Sequence, residues 1–247
     1  TPILVAIELD DEGLPRPLAR SQPTLYSYLP TGQPSGLRFL VHAHFDVPMD
    51  RERLDLDSTW NQWALARAGE TLAVLTSHLV REATSKKDPH RLESLLEVLP
   101  LDEDLSHEAF RRLREVFLEH ARKQKILVGR AGELLEPKNA LVIDDEELAE
   151  CLSGRELPLD SRNVLASLGS RARKVALALG ARALDAEGLV ELTAGLAREA
   201  RREGGEKNSW YLESIAPLLH ALVTMRANLA PLRSEPFLPD QQGELAA

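Results

Sequence analysis

The chain is short of cysteine, methionine, aromatic residues and positive charge, and each shortage narrows what it can be. A single cysteine, Cys151, stands among 247 residues, which excludes an intrachain disulfide framework and a thiolate zinc site built within the chain. A reducing cytoplasm is the expected compartment. Phe, Trp and Tyr make up only 4% of the residues, so leucine, valine and alanine must fill the core. That balance favours helices packed on a modest sheet over an aromatic-rich sandwich. Lysine and arginine number 30 against 39 acidic residues, a formal charge of −9. Such a chain repels phosphate backbones, which argues against gripping nucleic acid. No apolar run reaches the length of a membrane span and no charged-then-apolar leader opens the sequence, so no membrane partner is expected. The methionines are Met49 and Met225 and the first residues are Thr1-Pro2-Ile3, so the chain reads as a piece of something longer.

What is present is ordinary globular material, 43% apolar and 28% charged. Three β-rich runs open it: Ile3 to Leu9, Thr24 to Leu29, and Leu37 to Phe45. Polar, Gly- and Pro-containing connections separate them, which predicts three strands of an antiparallel or mixed sheet. The link from Tyr28 to Arg38 is short enough for a hairpin. The period then changes. Trp60, Trp63, Ala64, Ala68, Leu72, Leu75 and Leu79 recur at helical steps behind a cap at Asp57 or Ser58. Lys86-Lys87-Asp88-Pro89 stops that helix, and the stretch Leu92 to Leu99 ends at Pro100. The acidic segment Leu101 to Leu105 is the expected domain boundary. Beyond it, Ala109 to Ala121 predicts a helix, and Ile126–Gly129 and Ala140–Ile143 predict strands. Further helices are expected near 146–152, 164–179, 187–202 and 209–229, with Pro217 kinking the last. The fold class expected is α+β. It has a small sheet with packed helices over 1–100, a mostly helical unit with a short hairpin over 101–230, and a frayed tail over 231–247.

Two strings carry candidate chemistry. His42, His44 and Asp46 alternate along a strand, so two imidazoles and a carboxylate would share one face, as in zinc hydrolases. Such a site needs further ligands from other strand ends and an open position for water. The remaining histidines lie mostly in helical patterns, so ordinary strand histidines are the competing reading, and a metal-dependent hydrolase is the alternative function. Directly after it, Met49-Asp50-Arg51-Glu52-Arg53-Leu54 is either a solvated charged turn or a pair of guanidinium groups poised for an anion. Other signals have plainer readings. There is no phosphate-cradling G-x-x-x-x-G-K-S/T loop, dinucleotide turn or nucleophile elbow. Asp144-Asp145-Glu146-Glu147 suits a helix start. The clusters Arg111-Arg112-Arg114, Arg171-Arg173-Lys174 and Arg198-Arg201-Arg202 suit solvated helix faces, and Trp60 and Trp63 suit core packing.

One linked set of motifs is more specific. Thr24-Leu-Tyr-Ser-Tyr-Leu-Pro-Thr31, Ser35-Gly-Leu-Arg-Phe-Leu-Val-His-Ala-His-Phe45, Asp50-Arg51-Glu52 and Trp60-Asn61 follow one another in order. This set resembles the sacsin/No-vein family, large proteins carrying a GHKL ATPase domain like that of the heat-shock chaperone. In that family a strand ending in LPT precedes a "tGLpfhvnadF" strand, an arginine-bearing turn and a helix opening with WN. Leu127-Val-Gly-Arg-Ala-Gly132, Glu136-Pro137 and Asn139-Ala140 are similar to its later hairpin, with leucine replacing the usual aromatic. The resemblance implies a region downstream of the nucleotide-binding domain, since the ATP-site motifs of GHKL proteins are missing here. It implies no enzyme in this chain alone, a parent protein that uses ATP and Mg2+, an upstream ATPase domain as partner, and client or partner proteins. It also implies that Arg51 maps to the arginine that reaches the γ-phosphate when the nucleotide lid closes. Arg53 is the second candidate, because Asp50, where the family often has serine, can pair with Arg51.

Overall fold

The computed structural model describes residues 2–19, 21–49, 53–86, 89–129, 133–143, 148, 168–203, 209–234 and 238. They form an α+β architecture in two compact units. One unit comprises Thr1–Val128, Leu134–Lys138 and Leu168–Ala181, and the other Gly129–Glu133, Asn139–Ser167 and Arg182–Ala247.

The first unit opens with β1 (Leu4–Ala6), β2 (Glu8–Leu9), β3 (Pro15–Arg16), β4 (Leu25–Ser27), β5 (Leu29–Pro30) and β6 (Leu40–His42). The run expected from Ile3 to Leu9 is thus broken at Ile7, and its second part turns back as the β2–β3 hairpin. Asp10 shapes that turn by accepting from the N–H groups of Glu12 and Leu14. The main sheet runs β1-β6-β4-β5, with β1 antiparallel to β6 and β4 parallel to it. The sheet is therefore mixed, and the hairpin expected between Tyr28 and Arg38 does not form. Tyr28, at φ 63°, reverses the chain at once, and β5 takes the antiparallel place beside β4. The chain must then cross over before it returns as β6. Register puts Val5, Val41 and Leu25 in one row, with Val41 and Leu25 fully buried, while Leu4, His42 and Tyr26 form the row on the opposite face.

Helix α1 (Thr59–Lys86) supplies much of the core through Leu65, Ala68, Leu72 and Ala73. Each fully buried leucine contributes about 2 kcal/mol. Its buried stripe is centred one residue away from the expected one, because Asn61 turns inward while Trp60 and Trp63 stay 42% and 41% exposed. The tryptophans are not core residues. Helix α2 (Pro89–Val98) starts on a proline, which has no N–H to leave unsatisfied. Helix α3 (Ala109–Ala121) buries Phe110, Leu113, Val116, Phe117, Leu118 and Ala121. It lies so close to α1 that a Cβ on Gly69 would come within 2.3 Å of the Leu113 carbonyl oxygen. The boundary expected at residue 100 is therefore inside this unit. The acidic segment is tied down rather than free: Ser106 donates its N–H to Ser35 and its hydroxyl to Pro34. The unit is completed by the hairpin of β7 (Leu127–Val128) with β8 (Leu134–Leu135) and by helix α4 (Ser170–Leu179), which ends at Gly180 in a left-handed cap.

Arg171 corrects another expectation. Its side chain is only 14% exposed, donates to the carbonyls of Glu97 and Leu99, and pairs with Asp104 at 2.6 Å. Arg173 is buried as well. Those two arginines are internal, whereas Lys174 of the same cluster stays on the solvated face, 54% exposed and paired with Glu103.

In the second unit β9 (Leu141–Val142) pairs in parallel with β10 (Arg182–Ala183), so residues 140–143 leave the expected hairpin and find a distant partner. Helices α5 (Ala186–Glu203) and α6 (Ser209–Thr224) enclose a core of Leu189, Leu196, Ala200, Leu218 and Leu222. Pro217 lies within α6. That helix ends five residues earlier than expected, where Arg226 adopts φ 50° and Ala227 donates back to Leu222. The tail begins docked, since Ala230–Ser234 forms a 3-10 turn with Leu232 buried. Cys151, the acidic string 144–147 and most of the helix expected at 146–152 lie outside the described residues, as do 164–167 and most of the tail.

Candidate functional site

The resemblance-bearing motifs converge around one loop. Its two ends are Asp46 and Asp55, and both are held by the fully buried amide of Asn61 in the first turn of α1. Asn61 Oδ1 accepts from the Asp46 N–H at 2.7 Å, and Nδ2 donates to the carbonyls of Asp46 and Asp55 at 2.8 Å each. One side chain thereby satisfies three backbone groups and ties residues 46 and 55 to the same amide. Asp55 continues the clamp toward the helix by accepting from the N–H groups of Asp57 and Ser58. The Ser58 carbonyl then takes the bond from Gln62 that starts α1. Within the loop, Leu54 is buried and donates its N–H to Gln33 Oε1 at 3.3 Å.

The other motif residues build the platform beneath. Thr31 is buried, and both its N–H and its hydroxyl reach the Leu25 carbonyl. Thr24 and Ser35 share a buried hydroxyl–hydroxyl bond, and Ser35 Oγ also accepts from the Leu37 N–H. Gly36 has φ 78°, and a Cβ there would lie 1.7 Å from the Asp104 carbonyl oxygen, so only glycine fits. The Ser27 hydroxyl donates to the Phe45 carbonyl, and Trp60 Nε1 donates to that of His44.

Of the two arginines expected to reach an anion, Arg53 is exposed on this loop, whereas Arg51, with its neighbours Asp50 and Glu52, lies outside the described residues. His42 closes β6, and His44 and Asp46 follow it in the segment that leads to the loop. Strand pairing stops at His42, and the Asp46 backbone is turned into the Asn61 amide. Tyr28 stands against both imidazoles, with centroids 6.3 Å from His42 and 4.4 Å from His44. Among the described residues no group of three His, Cys, Asp or Glu side chains gathers to hold a metal ion. A cleft of about 730 Å3 lies between the starts of α1 and α3, where Arg111 and Arg112 meet Asp57, Glu108 and Glu115. Arg111 pairs with Asp102 at 3.0 Å and Arg112 with Glu115 at 3.7 Å, so its charges are largely balanced.

Sequence reasoning missed Asn61 as the clamp and Arg171 as the strut. The signal for Asn61 was present: a polar residue at the centre of an apolar stripe must be hydrogen-bonded if it is buried. Among the described residues no helix is long and apolar enough to cross a membrane. Comparison with known proteins gives no match to a family model, a curated protein or a solved structure.

Proposed function

We propose that this chain is the non-catalytic transducer and interaction region of a sacsin-like GHKL ATPase or chaperone-related protein. In this reading an upstream ATP-binding domain of the same protein packs against it, and the arginine-bearing loop senses nucleotide. ATP and Mg2+ belong to the upstream domain, because this chain has none of the motifs that would hold them. The observation that carries the reading is the clamp. The segment with Arg51 and Arg53 is pinned at both ends by Asn61, which belongs to a helix of 28 residues packed along α3. In this reading a phosphate that pulls on the loop pulls on α1 through Asn61, which is how small shifts at a nucleotide become motions of distant elements. A guanidinium suits the task because it keeps its charge and offers two parallel donors to phosphate oxygens.

The test is ATP binding and turnover by this chain alone and by the chain extended upstream along its own reading frame. The reading expects both activities only in the extended chain. Binding by this chain alone would contradict it, and so would an extended chain that neither binds nor turns over ATP.

A further inference from the structure

Beside the loop, and independent of the nucleotide reading, lies an open cleft of about 560 Å3 at which three exposed rings meet a carboxylate. Tyr28, His44, Trp60 and Asp46 line it, with Ser27, Phe45 and Val47 completing the wall. We propose that this cleft binds a quaternary or methylated ammonium group. The rings are held in place by the backbone rather than left to chance. Tyr28 projects from a residue at φ 63°, which a tyrosine adopts only under constraint, and its ring meets the His44 imidazole at 4.4 Å and a 54° tilt. The Trp60 indole is anchored through Nε1 to the His44 carbonyl and stacked on Trp63 at 4.9 Å. Tyr28 is 68% exposed and Trp60 42%, an unusual expense of aromatic surface in a chain with so few aromatic residues.

The chemistry of the walls selects the ligand. Ring faces attract a cation through their quadrupoles, Asp46 adds a negative charge, and among the described residues that line the cleft none is lysine or arginine. A bare ammonium would have to exchange its hydrating waters for a single carboxylate. A quaternary ammonium has no N–H to satisfy, is weakly hydrated, and presents methyl groups to the rings, so it enters at far lower cost.

The test is titration of the full chain with choline and with Nε-trimethyl-lysine amide, read by tryptophan fluorescence and by amide shifts at Tyr28 and His44. The comparison ligands are lysine amide and the neutral isostere 3,3-dimethylbutan-1-ol. The site predicts saturable binding of the methylated cations, with the isostere and lysine amide at least about tenfold weaker. Trimethyl-lysine ahead of choline would point to a modified protein as the source and the reverse to a small cation, and either supports the site. Trp60→Ala and Tyr28→Gly should each weaken choline about two- to thirty-fold. The glycine variant removes the ring while relieving the left-handed backbone, so the fold is kept. Equal binding of choline and its isostere, equal binding of lysine and trimethyl-lysine, no saturation, or unchanged affinity in both ring variants would each overturn the proposal.

Discussion

Asn61 offers the sharpest test of how the loop is built. Replacing it with alanine removes three hydrogen bonds of 2.7–2.8 Å and leaves the Asp46 N–H and the carbonyls of Asp46 and Asp55 without that partner. Each bond contributes about 1 kcal/mol net, and a backbone group left unsatisfied costs about 1–3 kcal/mol. The loop ends are only part-buried, so water recovers some of this, and the expected loss is about 2–4 kcal/mol. Urea unfolding followed by far-UV circular dichroism should show a lower midpoint with an unchanged slope. Hydrogen exchange should show faster exchange of the Asp46 amide, while the α1 and α3 amides keep their order of protection. Asn61→Asp is the control for volume. It keeps the acceptor for Asp46 but replaces the donating amide with a carboxylate facing two carbonyl oxygens, so it should be no more stable than the alanine variant. A loss below about 0.5 kcal/mol in both variants, with Asp46 exchange unchanged, would refute the clamp.

Three further outcomes follow from the packing and the charges. Gly69→Ala adds a methyl 2.3 Å from the Leu113 carbonyl oxygen, and the overpacking, about 1–3 kcal/mol, should outweigh the roughly 1 kcal/mol gained in helix propensity; thermal melting checks this, and a stabilised variant would mean α1 and α3 lie farther apart. Arg171→Lys keeps the charge but cannot reach Asp104 and the carbonyls of Glu97 and Leu99 together, so a loss of about 1–3 kcal/mol is expected in denaturation. The Glu82 carboxyl is held below its usual range, first by the hydrogen bond and charge of Lys86 and further by Arg91. A depressed carboxylate contributes its stability above the unfolded pKa and loses it as pH falls through the folded one. NMR titration should therefore find a low midpoint for Glu82 that rises in Lys86→Ala.

The sequence made the α+β class and the long helices legible because their apolar residues repeat at helical steps, as Phe110, Leu113, Val116 and Phe117 do in α3. Strand pairing was harder to read. The hairpin expected after Tyr28 depended on a connection length, whereas the left-handed turn at Tyr28 itself puts β5 antiparallel beside β4 and leaves β6 to return parallel on its other side. Residues 140–143 read as strand but pair with 182–183, and no local signal encodes a partner forty residues away. Periodicity also placed Trp60 and Trp63 in the core, because it counts apolar residues and cannot weigh a buried amide such as Asn61 against two large indoles. Arg171 was hidden for a similar reason. A basic cluster reads as solvated unless the carbonyl ends of another helix are known to wait beside it, as those of α2 do.

The measurement that tests the transducer reading most directly is ATP turnover by the chain extended upstream, wild type against Arg51→Ala, with Arg53→Ala alongside. Arginines that contact a γ-phosphate are worth large factors in turnover. A drop of at least about tenfold in Arg51→Ala, with nucleotide binding retained, is the predicted result. A drop confined to Arg53→Ala would move the role two residues along the same clamped loop, and unchanged turnover in both variants would contradict nucleotide sensing by this chain.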